Sequence, residues 1–181
     1  MSAYYYDGGL RKRTRTISIT SGKGGVGKST LISNLAVYLG KLGHKVLILD
    51  GDLGMSNIDV MFGARAKSNI YNLVTGEKDV HQIVTNIADN VDLIAGGSGI
   101  YELQHLDVYQ KRSLIDQVDE LAGEYDFMLI DTAPGIADNV LYLNSSADEI
   151  MVVLTPDPSS LTDSYALIKV LNQRYKVSDF S

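Results

Sequence analysis

The chain has 181 residues, of which 45% are hydrophobic, and a formal net charge of −6 at pH 7. Its length and composition are those of about one globular domain, which buries roughly 70% of the surface that its unfolded chain exposes. It has no cysteine, which excludes disulfides and a cysteine-held iron–sulfur cluster within the chain. No apolar stretch approaches the roughly 20 residues of a membrane span, and residues 1–9 lack the apolar core of a signal peptide. We therefore expect a soluble, cytoplasmic domain.

The charge is distributed unevenly along the chain. Residues 1–15 carry four basic side chains and one acidic side chain, a net charge of +3, and the remaining residues therefore carry −9. We interpret residues 1–15 as a flexible basic tail, with a partner-binding arm as the alternative. Residues 16–181 form the predicted domain, and their excess of acidic side chains argues against DNA as a partner.

The first predicted strand leads into a glycine-rich loop. Residues 17–20 alternate between apolar and polar side chains, as a short strand does. Residues 22–30 then read Gly-Lys-Gly-Gly-Val-Gly-Lys-Ser-Thr, which satisfies the Walker A template. Apolar residues recur at helical spacing from Leu31 to Leu42, and Gly43 ends this predicted helix. Strand, loop and helix together are the context that the motif needs in order to bind phosphate.

The residue types of the loop suit a nucleotide polyphosphate. Its glycines allow successive backbone N–H groups to face the phosphates, and the helix that follows directs its positive end at them. Lys28 would reach the β- and γ-phosphates, and the Ser29 hydroxyl would ligate Mg²⁺. Lys23 is a second lysine, and from the residues alone it could equally be a solvated surface charge. The predicted nucleotide contacts in the loop are Gly22, Lys23, Gly24, Gly25, Val26, Gly27, Lys28, Ser29 and Thr30.

Four further apolar runs predict strands, at residues 46–49, 91–95, 127–130 and 150–154. Short apolar runs of this kind are typical of strands that are buried on both faces of a parallel sheet. Helical patterns separate them, so the chain reads as repeated βαβ units. We predict an α/β fold of the P-loop NTPase type, with a mostly parallel, doubly wound sheet between two helical layers.

Three more helices are predicted between and after these strands. The first carries apolar residues at helical spacing between Leu114 and Ala122, and the second covers residues 137–147. The last helix opens near residues 158–160, and Ser160 with Asp163 forms a possible capping box. Its predicted buried face consists of Leu161, Tyr165, Ile168 and Leu171.

Carboxylates follow two of the predicted strands. Asp50 and Asp52 end one strand and Asp131 ends another, so all three should meet at the edge of the sheet that carries the loop. Asp131 has the position of a Walker B aspartate, and we predict that Asp50, Asp131 and Ser29 bind the metal. Asp52 would orient the attacking water, although it could also belong to a simple turn. Gly135 gives the segment after Asp131 the mobility of a switch that senses the nucleotide.

Three stretches of the sequence resemble one known family. They are the loop at residues 22–30, Leu-Asp-Gly-Asp-Leu-Gly at residues 49–54, and Leu-Ile-Asp-Thr-Ala-Pro-Gly at residues 129–135. Over residues 16–175 the chain resembles the deviant Walker A ATPases of the MinD/ParA family. Within this family it is most similar to the FlhG (FleN) regulators of flagellar number and placement, through residues 56–59, 96–99 and 160–169.

The resemblance implies an ATPase that cycles between a monomer and an ATP-bound homodimer, with ATP or ADP and Mg²⁺ as cofactors. In the family the lysine matching Lys23 reaches across the dimer to the partner's ATP, and the lysine matching Lys28 binds phosphate within its own chain. The aspartate matching Asp52 positions the water. FlhG-like members also act with the flagellar GTPase FlhF and with flagellar assembly or transcription factors. They attach peripherally to the inner membrane through a C-terminal amphipathic helix that this sequence lacks.

The sequence departs from the family pattern in two places. The family continues with further strands and an adenine-contacting segment, so we expect this chain to be an N-terminal portion of the fold. We also expect it to bind ATP and GTP alike and to hydrolyse both slowly. Many FlhG members begin with a motif containing Asp-Gln-Ala and Leu-Arg that stimulates FlhF. Here only Leu10 and Arg11 match that motif, so the sequence does not predict the stimulation.

Other functions share the loop and stay open at this point. A ParA-type DNA-partition ATPase has the same motifs but needs a basic face for DNA. An ATP-dependent ligase needs a second substrate pocket, for which the motifs give no sign. An iron–sulfur carrier lacks its ligands here, because the chain has no cysteine. A binding module without turnover is the remaining alternative.

Overall fold

The computed structural model describes residues 13–181, so residues 1–12 of the predicted tail lie outside the described part. The strands of this part are β1 (Arg15–Thr20), β2 (Val46–Gly51), β3 (Val84–Ala88), β4 (Val91–Ile94), β5 (Phe127–Thr132) and β6 (Glu149–Val152). They form one sheet in the order β3-β4-β2-β5-β1-β6. The β3–β4 pair is antiparallel and the other neighbouring pairs are parallel. The predicted, mostly parallel sheet is confirmed.

Helices cover both faces of this sheet. They are α1 (Lys28–Lys41), α2 (Ile58–Met61), α3 (Ile70–Val74), α4 (Val80–Ile83), α5 (Tyr101–Gln104), α6 (Val108–Asp119), α7 (Asp138–Ser145) and α8 (Pro158–Tyr175). Alternate residues of β2 enter different cores. Leu47 and Leu49 pack in the cluster that contains Leu114 of α6, whereas Ile48 packs in the cluster that contains Ile32 of α1. This alternation confirms the three-layer, doubly wound architecture.

The order of the central strands brings the predicted site together. β5 lies between β1 and β2, with Asp131 opposite Ile19 on one side and opposite Asp50 on the other. Because these strands are parallel, their carboxyl ends lie at one edge of the sheet. The glycine-rich loop after β1 and the carboxylates of β2 and β5 therefore share that edge.

The start of the last helix differs from its prediction. Asp157 is the N-cap of α8 and its side chain accepts a hydrogen bond from the Ser160 N–H, while Pro158 opens the helix. The capping box predicted from Ser160 and Asp163 was wrong. The sequence Asp-Pro ahead of a helix favours the observed cap, because proline fixes the first helical φ and needs no N–H partner.

The buried face of α8 also differs from its prediction. Leu161 is 50% exposed and Tyr165 is 68% exposed, so two of the four residues predicted on that face were wrong. The buried face is formed by Ser160, Ser164, Leu167 and Leu171. Small hydroxyl residues occupy its first turns because the helix backbone approaches the glycine-rich loop closely there, as described below.

Short elements were not predicted. β3 pairs antiparallel to β4 at one edge of the sheet, and none of its five residues is fully buried. Its residues therefore lack the apolar run that marks the central strands. α2 to α5 have four or five residues each, which is too short for a helical period.

The folded domain also begins earlier than the boundary set at residue 16. Thr14 is buried and its hydroxyl donates to the Tyr125 carbonyl at 2.8 Å. Arg15 is the first residue of β1. Across residues 13–181, none of the helices has both the length and the apolar character of a membrane span.

Candidate functional site

The glycine-rich loop connects β1 to α1 and ends at a helix N-terminus. Gly27, directly before α1, has a φ of 96°, a left-handed conformation that favours glycine. The first turn of α1 contains Lys28, Ser29 and Thr30, whose N–H groups have no partner within the helix. A helix end of this kind attracts anions through its free N–H groups and its dipole. The local structure thus suits the predicted phosphate contacts.

Gly22, at the start of the loop, is fixed by packing. A Cβ on Gly22 would lie 2.1 Å from the carbonyl carbon of Asp163 and 2.3 Å from the backbone nitrogen of Ser164. No side chain fits at such distances from helix backbone, so only glycine allows the loop to contact α8 here. Gly22 therefore has a structural role in addition to its predicted contact with phosphate.

Lys28 is the buried cation of the site. Its side chain is 7% exposed, and its Nζ donates to the Ser21 hydroxyl at 2.9 Å. Burial lowers the pKa of Lys28, while the nearby charges of Asp131 and Asp52 act in the opposite direction. The loop thus holds an ammonium group that faces two carboxylates.

Asp131 is the penultimate residue of β5 and is 3% exposed. Its Oδ1 is buried and has no hydrogen-bond partner, which is costly for a carboxylate oxygen. Burial raises the pKa of Asp131 to about 6, and the charge of Asp50 adds to this effect, whereas the Ser29 hydroxyl and the Lys28 ammonium lower the pKa. The carboxyl group therefore has one buried oxygen atom, Oδ1, that is available to a ligand.

Asp50, opposite Asp131 in the sheet, has its hydrogen bonds within the protein. Its Oδ2 accepts from the Ser56 hydroxyl at 2.6 Å and from the Ile58 N–H at 3.3 Å, and its Oδ1 accepts from the Asp52 N–H at 3.2 Å. Burial raises the pKa of Asp50, and these hydrogen bonds oppose the rise. The carboxylate thus anchors the segment that begins α2, and its predicted role as a metal ligand stays a prediction.

Asp52 directly follows β2 and is partly exposed. Its Oδ1 accepts from the N–H groups of Met55 at 3.1 Å and Gly54 at 3.4 Å. The side chain therefore stabilises its own turn, as the simpler interpretation of the sequence suggested. Because its charge also acts on Lys28, it lies near enough to the loop for the predicted role in orienting water.

The segment after Asp131 is attached to the loop. The Gly135 N–H donates to the Ser21 carbonyl at 2.9 Å, and Gly135 has a φ of 93°. A Cβ on Gly24 would lie 3.7 Å from Cγ of Pro134, so the two segments also approach there. A change at the loop can therefore reach this segment directly through backbone contacts.

Lys23 projects from the loop toward the start of α8. Its Nζ lies 2.6 Å from the Ser159 hydroxyl and 3.4 Å from Oδ1 of Asp157, and its side chain is 44% exposed. Hydrogen bonds from Ser159, Thr155 and the Ser160 N–H hold the pKa of Asp157 well below its usual range. In this single chain Lys23 therefore contacts its own helix, and it remains open to solvent.

These residues fit a magnesium nucleotide. Asp131 offers an unpartnered carboxylate oxygen beside Ser29, and the loop offers free N–H groups and a buried lysine. Within residues 13–181 no cluster of three or more His, Cys, Asp or Glu side chains could hold a metal by itself. Mg²⁺ does not require such a cluster, since it binds through one or two carboxylates together with water and substrate phosphates.

The sequence analysis missed several partners of these residues. Ser21 accepts from Lys28, Ser56 donates to Asp50, and Asp157 with Ser159 contacts Lys23. The Asp157-Pro158 pair was a signal for a helix cap and could have been used. Ser21 and Ser56 gave no signal, because a hydroxyl that contacts a side chain seven or six residues away across a loop follows no strand or helix period.

The fold and the loop are those of the P-loop NTPases of the MinD/ParA type. Residues 14–179 match the model of an AAA domain family, and the chain belongs to this family. The septum site-determining protein MinD from Pyrococcus horikoshii, solved in complex with Mg-ADP, superposes with a TM-score of 0.77 at 34% identity. The match covers 88% of this chain and 65% of that protein.

Two curated relatives are connected with particular processes. The antiactivator FleN of Pseudomonas aeruginosa is 35% identical over 166 residues, which are 92% of this chain and 59% of FleN. The flagellum site-determining protein YlxH of Helicobacter pylori is 40% identical over 158 residues, which are 87% of this chain and 53% of YlxH. The chain thus spans little more than half the length of these relatives, and the predicted resemblance to the FleN group is confirmed.

Proposed function

We propose that this chain is the nucleotide-binding part of a MinD-like ATPase that regulates the number and placement of flagella. The observation that carries the proposal is the buried Lys28 ammonium at a helix N-terminus, near the buried carboxylate of Asp131, whose Oδ1 has no hydrogen-bond partner. The similarity to FleN and YlxH supports the flagellar role. Action with FlhF, with other flagellar factors or at the membrane stays a prediction.

Each residue of the site has a separate role in ATP hydrolysis. The loop N–H groups and Lys28 bind the phosphates, and Ser29 with Asp131 would hold Mg²⁺, which neutralises phosphate charge when bound. Asp52 orients the attacking water. Asp50 acts indirectly, because its carboxylate is engaged with the segment that begins α2. The Gly135 N–H, bonded to the loop, makes the segment after Asp131 responsive to the nucleotide.

An ATP-dependent dimer is the second part of the proposal, and Lys23 supports it. Its ammonium group is within reach of α8 but 44% exposed, so it can leave Asp157 and contact a nucleotide in a second copy. Exposed salt bridges contribute little to stability, so breaking the contact between Lys23 and Asp157 costs little free energy.

Exposed apolar side chains surround the same edge of the sheet. Each follows the carboxyl end of a strand or opens the next helix, and each is at least 39% exposed: Leu31, Met55, Val60, Ile136, Leu154 and Leu161. A ring of such side chains around polar residues is typical of a protein interface. A second copy of the chain, with its glycine-rich loop facing the loop of the first copy, would cover these apolar side chains.

The dimer is tested by light scattering of the purified chain with Mg-ATP and with Mg-ADP. We expect dimers with ATP in the unaltered chain, monomers in Lys23→Ala, and dimers in the control Lys41→Ala, which removes an equal charge at the far end of α1. Nucleotide affinity of the Lys23→Ala monomer should stay within a few-fold. Dimers formed equally well by Lys23→Ala would overturn the proposed role of this lysine.

A further inference from the structure

Four polar side chains form a fully buried group beneath the glycine-rich loop. Ser18 and Thr20 lie on β1, Thr132 ends β5, and Asn144 lies on α7, and each is at most 1% exposed. Asn144 occupies an apolar position of its helix, because Val140, Leu141 and Leu143 around it are buried in the core. Neither phosphate binding nor the proposed chemistry requires a polar residue there.

The hydrogen bonds within this group form one connected chain. The Ser18 hydroxyl donates to Oδ1 of Asn144 at 2.8 Å, and Nδ2 of Asn144 donates to the Thr20 hydroxyl at 3.2 Å. The same Nδ2 donates to the Val140 carbonyl at 2.8 Å, which fixes the orientation of the amide because a carbonyl can only accept. The Thr132 hydroxyl donates to the Thr20 hydroxyl at 2.9 Å.

These side-chain hydrogen bonds lie at the point where the backbone pairing of β1 with β5 ends. The last paired residues are Ile19 and Asp131, and the next residue on each strand is Thr20 and Thr132. Their side chains continue the link between the strands, and the bond from the Gly135 N–H to the Ser21 carbonyl completes it. The two segments that receive the nucleotide are thus held at a fixed distance by side chains that Asn144 orients.

A leucine of similar size would satisfy the core more simply. Burying an amide is unfavourable unless every polar group finds a partner, and here every polar group of the Asn144 side chain has one. Satisfied polar networks of this kind specify one arrangement of a core more strictly than apolar packing does. The arrangement specified here is that of the loop relative to the Asp131–Gly135 segment.

We propose that Asn144 is a positioning residue for ATP hydrolysis. Through Thr20 and Thr132 it sets the loop against the segment that follows Asp131, and it acts on the rate of hydrolysis rather than on nucleotide affinity. This inference rests on the proposed ATPase function. The hydrogen-bond partners of the Asn144 side chain are Ser18, Thr20 and Val140, and none of these is a predicted phosphate or metal ligand.

The test separates positioning from stability with a pair of variants. Asn144→Leu leaves the Ser18 hydroxyl without its partner, and we expect the melting temperature to fall by about 3 to 10 °C. The double variant Ser18→Ala with Asn144→Leu removes both partners, so most of that stability should return. We expect kcat to fall about 10- to 100-fold in both variants, with KM within about threefold of the unaltered chain. Recovery of kcat together with stability in the double variant would show a purely structural role.

A second readout needs no turnover. Hydrogen exchange of the Gly135 amide in the nucleotide-free chain should accelerate at least about tenfold in both variants. Tyr125→Phe, which removes a hydrogen bond to Asp92 at the other end of the strands, is the matched control and should leave Gly135 unchanged. An unaltered chain without ATPase activity would overturn the proposed function alone. Unchanged exchange at Gly135 in Asn144→Leu would overturn the positioning role.

Discussion

The two ends of the central strands differ in the burial and the pairing of their charged side chains. At the amino end, Arg15 forms two hydrogen bonds to the Glu149 carboxylate, at 2.5 and 2.8 Å, and both side chains are exposed. At the carboxyl end, Asp50 and Asp131 lie opposite each other and are at most 3% exposed, and Asp131 has an oxygen with no partner. One end pairs its charges in water, and the other buries charges of the same sign side by side.

The pKa values follow this difference. The hydrogen bond from Arg15 lowers the pKa of Glu149, as expected for a structural ion pair. Burial raises the pKa of Asp131 to about 6 and lowers the pKa of Lys28. Shifts of this kind destabilise the folded chain and are concentrated at sites that bind ligands. The shifts of Asp131 and Lys28 therefore support the carboxyl end of the strands, which the loop motif also indicates, as the binding site.

Among variants at the two ends of the strands, Asp52→Ala is expected to change the rate of ATP hydrolysis most. In the proposed role Asp52 orients the attacking water without binding the nucleotide, so its loss should lower kcat about 100-fold and leave the affinity for Mg-nucleotide nearly unchanged. Single-turnover hydrolysis and nucleotide titration measure the two quantities separately. A loss of Mg-nucleotide affinity of similar size would instead make Asp52 a metal ligand.

Lys28→Ala should weaken nucleotide binding itself. A charge-assisted hydrogen bond to phosphate contributes roughly 1.5 to 3 kcal/mol, so the Kd for ATP should rise about 10- to 150-fold. Fluorescence titration with a labelled nucleotide measures this change. Arg15→Ala, which removes a cation from the amino end, is the control and should leave the Kd unchanged, so a comparable loss there would contradict the distinction between the two ends.

Asp131→Asn should stabilise the nucleotide-free chain. Between the ordinary pKa of 3.8 and about 6 the folded chain binds more protons than the unfolded chain, so this group's contribution to stability falls as the pH rises. At pH 7 the neutral amide should therefore raise the free energy of unfolding by about 1 to 3 kcal/mol, and it should flatten the pH dependence between about pH 4 and 6. Urea denaturation over this pH range measures both changes. Equal or lower stability of Asp131→Asn at pH 7 would show that the buried Asp131 carboxylate does not destabilise the folded chain.

The smallest effect is expected at the amino end. Arg15→Ala should return the pKa of Glu149 toward its ordinary value, because the hydrogen bond from Arg15 is the main cause of its lowering. Titration of the Glu149 carboxyl followed by NMR measures the shift. Exposed ion pairs contribute little to stability, so resistance to urea should hardly change. A large loss of stability would contradict the interpretation of Arg15 and Glu149 as a solvent-exposed ion pair.

The central strands and the glycine-rich loop could be predicted from sequence because their signals are local. The apolar runs of β2 and β5 and the glycines before Lys28 each lie within one short segment. Asp131 could be placed at the site because it directly follows such a run. The carboxylate positions then followed from the rule that parallel strands end at one edge of the sheet.

The remaining features depend on contacts between distant segments, which periodicity does not report. Leu161 and Tyr165 follow a helical pattern, but the contact of α8 with Gly22 turns a different face of that helix inward. Asn144 lies at an apolar position and finds its partners 126 and 124 residues away in sequence. The bonds from Asp50 to Ser56 and Ile58 span only six and eight residues, but they follow no regular period, and the predicted role of Asp50 as a metal ligand stays a prediction.

In the proposed dimer, two copies of the site act together in hydrolysis, with Lys23 of one copy at the nucleotide of the other. The most direct test is the initial rate of ATP hydrolysis measured against protein concentration at saturating Mg-ATP. We expect the rate to rise more steeply than linearly, and we expect Lys23→Ala to abolish the rise. A rate strictly proportional to concentration, with Lys23→Ala as active as the unaltered chain, would contradict the proposed dimer.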